Sequence, residues 1–119
     1  MDMENTITAL AALAQPTRLT AFRLLVRAEP EGIAAGDLAR RLDVPQNTLS
    51  SHLSTLAQAG LVRGERQSRS IIYRPDLTRM REAVLFLLAD CCDGNPQVCA
   101  PVRDTLAQLC RPGGEACCE

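Results

Sequence analysis

The chain contains no lysine and no tryptophan, and only 3% of its residues are aromatic. A core with so few rings must be aliphatic, which favours packed helices over a β-sandwich or barrel. No apolar run reaches the roughly 18 residues of a membrane-spanning helix. The start, Met-Asp-Met-Glu-Asn, lacks the basic region and apolar stretch of a secretion signal, so a cytoplasmic location is expected. Cysteine is missing from the first 90 residues, yet Cys91, Cys92, Cys99, Cys110, Cys117 and Cys118 follow. Structural disulfides are rare in a reducing compartment. Thiols kept out of the core and gathered at one end suit ligand or redox chemistry better than packing. His52 is the single histidine, distant in sequence from every cysteine, and no phosphate loop is present. No nucleophile–base pair can be assembled from this inventory, so an enzyme is not expected.

A length of 119 residues fits one domain, taken as residues 1–110 with a flexible tail over 111–119. Burial within so short a chain is limited, which favours a dimer that shares a core. The formal net charge of −1 argues against nucleic acid, but its distribution argues the other way. Residues 63–81 carry Arg63, Arg66, Arg69, Arg74, Arg79 and Arg81 against Glu65 and Asp76, a local +4. Residues 90–119 carry two arginines against five acids, a local −3. A basic segment beside an acidic tail marks an edge that faces a polyanion.

Apolar spacing predicts helices over 5–13 (Ile7, Leu10, Leu13) and 17–28 (Leu19, Phe22, Val26), with Pro16 opening the second. A break at 29–32 precedes a helix over 35–42. The tight connection Asp43-Val44-Pro45 leads into a helix over 46–59, closed by Gly60. Strands follow over 61–66 and 69–74, joined by Gln67-Ser68. A helix from Asp76 to about Asp90, a turn at 93–96 and a short helix over 101–109 complete the chain.

Two short helices, a tight turn and a basic hairpin are the order of a winged helix-turn-helix, a mainly α fold with a β-hairpin wing. In the fourth helix Leu53 and Leu56 fall within about 40° of Leu49, forming an inner stripe. Asn47, Ser51, Ser54 and Gln58 occupy the opposite side, flanked by Ser50 and Thr55, and that face carries no charge. Amides and hydroxyls bond base edges, and their small size lets a helix sit deep in a major groove. Arg63, Arg66, Arg69 and Arg74 of the hairpin could neutralise phosphates or enter a minor groove. His52 lies on the shoulder of the leucine stripe, suited to a partly buried hydrogen bond or a phosphate contact rather than to a metal.

Leu13-Ala-Gln-Pro-Thr-Arg18, Asp37-Leu-Ala-Arg-Arg-Leu42, Gln46-Asn-Thr-Leu-Ser-Ser-His-Leu-Ser-Thr-Leu-Ala-Gln-Ala-Gly-Leu-Val62 and Arg69-Ser-Ile-Ile-Tyr73 together resemble the ArsR/SmtB family of metal- and metalloid-responsive repressors. The likeness covers about residues 5–90. It implies a homodimer joined through its N-terminal and C-terminal helices, which holds a partly palindromic double-stranded operator without ligand and releases it with ligand. It further implies that Gln46, Asn47, Thr48, Ser50, Ser51 and His52 belong to the recognition segment, and Arg66 and Arg69 to the wing.

Effector sites that the family builds from cysteines before the recognition helix, from N-terminal cysteines, or from Asp and His on the dimer helix lack their residues here. Cys91, Cys92 and Cys99 remain, resembling the arsenite-responsive branch with a vicinal pair and a third cysteine. Soft thiolates select soft ions, and As(III) and Sb(III) favour three sulfurs in a pyramid. Structural zinc wants four ligands; Cys110, Asp93 or a partner chain could supply the fourth. A Cd, Zn or Pb sensor, a thiol redox or persulfide sensor, and an arsenic carrier are the competing readings. No organic cofactor is expected. Cys110, Cys117 and Cys118 are read as accessory or non-essential.

Overall fold

In the computed structural model, residues 2–92 and 96–109 are described. The chain divides into two compact units, residues 1–83 and 84–119. The first begins with α1 (Met3–Leu13), capped by Asp2, whose carboxylate accepts from the Asn5 N–H at 2.8 Å. The helix buries Thr6, Ala9 and Ala12. Ile7 and Leu10, whose spacing marks the helix, are 55% and 41% exposed. Small side chains let α1 approach its neighbours closely, so the alanine face is the inner one and the larger side chains point outward. α2 (Pro16–Arg27) starts on proline, with the Gln15 Oε1 accepting from the Arg18 N–H at 2.8 Å. It buries Ala21, Phe22 and Leu25, and Leu19 is 45% exposed. Of the residues whose spacing marks this helix, Phe22 is buried, Val26 is half-buried and Leu19 points outward.

At the break, Gly32 adopts φ +80°, and a Cβ there would stand 2.7 Å from the Tyr73 carbonyl. This close approach admits β1 (Ile33–Ala34), a strand that sequence periodicity does not reveal because two residues are too few to alternate. α3 (Ala35–Leu42) ends on Asp43 in the left-handed region, φ 55°. α4 (Gln46–Gln58) buries Leu49, Leu53 and Leu56 completely, as its spacing predicts. It closes through paired bonds from Gly60 N–H to Ala57 O (3.0 Å) and Leu61 N–H to Leu56 O (3.0 Å). These are the bonds of a Schellman motif, and they require the left-handed residue that Gly60 supplies at φ +79°.

β2 (Val62–Gln67) and β3 (Ser70–Pro75) form the hairpin, each one residue later than predicted. Their turn is Ser68-Arg69, and Ser68 takes the positive φ (60°) that a two-residue hairpin turn demands. The sheet order is β1-β3-β2, all antiparallel. The core of this unit joins Ala9, Phe22, Leu25, Ile33, Leu38, Leu49, Leu53, Leu56, Leu61 and Val62.

α5 (Leu77–Cys92) opens on Asp76, whose carboxylate accepts from the Arg79 N–H at 3.1 Å, and runs from the first unit into the second. It ends two residues beyond the predicted limit, so the backbones of Cys91 and Cys92 are helical. α6 (Pro96–Leu109) starts five residues before the predicted 101, because Pro96 is itself a good first helical residue; Pro101 lies inside the helix. Asp93 to Asn95 of the expected turn, Cys110 and the 111–119 tail with Cys117 and Cys118 lie outside the described residues. Among the described residues no helix is long and apolar enough to cross a membrane.

Candidate nucleic-acid interface and sulfur cluster

Burial of Leu49, Leu53 and Leu56 fixes the rotation of α4 about its axis, and that rotation decides which side chains face out. Gln46, Asn47, Thr48, Ser50, Ser51, Ser54 and Gln58 are exposed. Some of this face is already committed locally. The Asn47 Oδ1 accepts from the Thr48 N–H at 2.9 Å, which satisfies an orphan donor of the first turn and leaves the Asn47 amide hydrogens to act as donors. The Thr55 hydroxyl donates to the Ser51 carbonyl at 3.2 Å, so it turns back along the helix.

His52 is half-buried, as expected. Its Nδ1 lies 3.5 Å from Arg18 Nη1. A guanidinium can only donate, so Nδ1 is the accepting atom of this contact. Arg18 is held in turn by its Nε, which donates to the Ala12 carbonyl at 2.6 Å. Arg18 thus links the end of α1 to α4. Sequence reading quotes this arginine in a motif and gives it no role, since no spacing rule pairs residues 34 positions apart.

The hairpin arginines separate into two kinds. Arg74 Nη1 pairs with Glu65 Oε2 at 3.1 Å, and its Nε donates to the Pro30 carbonyl at 3.1 Å. Arg74 therefore ties the hairpin to the 29–32 segment, with its charge partnered by Glu65 in the free chain. Arg63, Arg66 and Arg69 are exposed and make no ion pair among the described residues. Arg63 and Arg66, three apart on one strand, lie on opposite faces of the ribbon, and Arg69 sits in its turn. The Asp37 pairs with Arg40 and Arg41 (3.4 and 3.2 Å) are solvent-exposed and contribute little.

In the second unit Cys91 and Cys92 are the last two residues of α5, and Cys99 is the fourth residue of α6. Their thiol groups lie outside the described side chains.

Known proteins share this architecture. A helix-turn-helix domain family model matches residues 13–65. The repressor SmtB of Mycobacterium tuberculosis is 37% identical over 65 residues, 55% of this chain and 46% of that protein. The chain spans about half the length of the curated repressors that it matches over those 65 residues. An ArsR-like transcriptional regulator from Rhodococcus sp. RHA1 superimposes with a TM-score of 0.69 at 25% identity, covering 91% of this chain and 94% of the other. NolR from Sinorhizobium fredii is 33% identical with a TM-score of 0.58, covering 73% and 83% respectively. With an α3–turn–α4 pair, a basic hairpin and this set of relatives, the chain belongs to the ArsR/SmtB family of winged helix-turn-helix transcriptional regulators.

Proposed function

We propose that the protein is a homodimeric repressor that holds operator DNA through α4 and the hairpin, and releases it when As(III) or Sb(III) binds Cys91, Cys92 and Cys99. The observation that carries the effector reading is the backbone position of these cysteines, two closing α5 and one in the first turn of α6. Arsenous acid would exchange its three hydroxides for three thiolates; the thiol protons leave as water, and no electron is transferred. Adjacent helical residues diverge by about 100°, so an ion that takes both Cys91 and Cys92 must bend the last turn of α5.

The DNA reading is supported by an uncharged, exposed outer face on α4 beside three unpaired arginines on the hairpin. Dimerisation is supported by the outward apolar residues of α1 (Met3, Ile7, Leu10) and, separately, of α5 (Val84, Leu85, Leu87). With α5 in the dimer, a bend at its end moves the two recognition helices off half-sites spaced by one DNA turn, about 34 Å. A 100-fold release needs a coupling of about 3 kcal/mol.

Fluorescence anisotropy of operator DNA, titrated in parallel with arsenite, zinc, cadmium, lead, peroxide and persulfide, tests the proposal. Release by micromolar arsenite, with little response to the others, is the expected result. Release by peroxide or persulfide alone would make this a redox switch, and release by zinc, cadmium or lead alone a soft-metal sensor. Retention of DNA in every arm would refute an effector role for the cysteines.

The hairpin makes a separate expectation. Each phosphate contact releases a counterion and each substitution occurs twice in the dimer, so Arg66→Ala and Arg69→Ala should each lower the slope of log K against log salt by about two. The sequence preference should stay the same. An unchanged slope in both variants would remove the hairpin from the interface.

A further inference from the structure

We infer that Arg79 fixes the half-site spacing that the protein selects, acting as a positioning residue at the joint between α4 and α5; this rests on the reading of the chain as a dimeric operator-binding repressor. A Cβ built on Gly60 would stand 2.8 Å from Arg79 Nε and 2.9 Å from Nη2, so the guanidinium lies flush against the glycine that closes the recognition helix. Arg79 is half-buried, and among the described residues its guanidinium has neither a carboxylate partner nor a hydrogen bond. Gly60 follows the last turn of α4, whose C-terminal end carries the negative pole of the helix dipole.

One residue further on, the Asp76 N–H donates to the Leu61 carbonyl at 2.7 Å. The Asp76 carboxylate then caps α5 through the Arg79 N–H at 3.1 Å. The start of α5 therefore meets the end of α4 at two adjacent points, a backbone bond at Leu61 and a guanidinium on Gly60. One point alone is a pivot, whereas two define a direction. In a two-fold dimer built on α5, the direction of α4 relative to α5 decides how far apart the recognition helices stand, and so which half-site separation fits. Gly60 is needed twice, for its positive φ and for the absence of a side chain under Arg79.

The test requires no effector. Duplexes selected by the wild-type protein from a random pool are remade with one or two base pairs inserted between the half-sites. Affinities are measured for wild type, Arg79→Met and Gly60→Ala, with thermal melts alongside. Wild type should lose on the order of 30-fold in affinity per inserted pair. Arg79→Met, which keeps an aliphatic stem, should bind the original spacing within about 5-fold and lose less than about 5-fold on insertion. Gly60→Ala, which displaces the same guanidinium, should flatten the preference as well, and the double variant should flatten it no further. A folded Arg79→Met or Gly60→Ala protein that keeps the wild-type spacing preference overturns the inference. Failure of the wild type to select paired half-sites removes the repressor reading, and this inference with it.

Discussion

Replacing Cys91 with serine should leave operator affinity unchanged and abolish release by arsenite. Cys91 lies 33 positions beyond the end of α4 at Gln58, and no base or phosphate contact is assigned to it. Serine keeps the size of the side chain but replaces a soft sulfur with a hard hydroxyl, a poor ligand for trivalent arsenic. With Cys91 gone no ion spans the vicinal pair, so the last turn of α5 is not bent and the coupling of about 3 kcal/mol that release requires is lost. The anisotropy titration should therefore give a flat arsenite curve on a normal DNA-binding isotherm. A mutant that lets go of DNA as the wild type does would show that Cys91 is not a ligand. Loss of DNA binding without arsenite would mean that the end of α5 is structural instead.

The second large effect concerns stability. Leu53→Ala removes a completely buried side chain from the middle of the inner stripe of α4, between Leu49 and Leu56, which are equally buried. Deletions of this kind cost about 3–4 kcal/mol, because the transfer term is joined by a cavity that neighbouring helices only partly close. For a domain of this size that lowers the melting midpoint by roughly 15 °C. Leu19→Ala is the matched control: its side chain is 45% exposed and should contribute well under 1 kcal/mol within the protomer. Similar losses in the two variants would mean that the inner faces of α2 and α4 have been misjudged.

The recognition helix was legible in the sequence because its punctuation and period agree. Pro45 opens it, Gly60 closes it, and leucines at 49, 53 and 56 leave one inward direction. In α1 and α2 the same spacing marks the helices but not the whole of their inner faces. Hydrophobicity ranks Ile7 above Ala9, yet close helix packing selects the small residue, and the outward isoleucine is free for a surface that a single chain does not contain. The hairpin was recognised and its turn shifted by one residue, since register depends on partners in β3 that the strand itself does not encode. Charge counting found the basic segment but could not see that Glu65 reaches Arg74 across the ribbon. For the cysteines the sequence carries a count and an order of thiols, and the backbone adds that Cys91 and Cys92 close α5 and Cys99 lies in the first turn of α6.

The recognition face of α4 is neutral, and the cations stand apart on the hairpin. Under the proposed function, grip and reading fall to different segments of the chain. A lineage could retune how tightly such a regulator competes with bulk chromosome by exchanging residues near the ribbon tip, without altering which promoter it chooses. The reverse is equally open: new amides and hydroxyls on the helix would redirect it to another gene at constant ionic sensitivity.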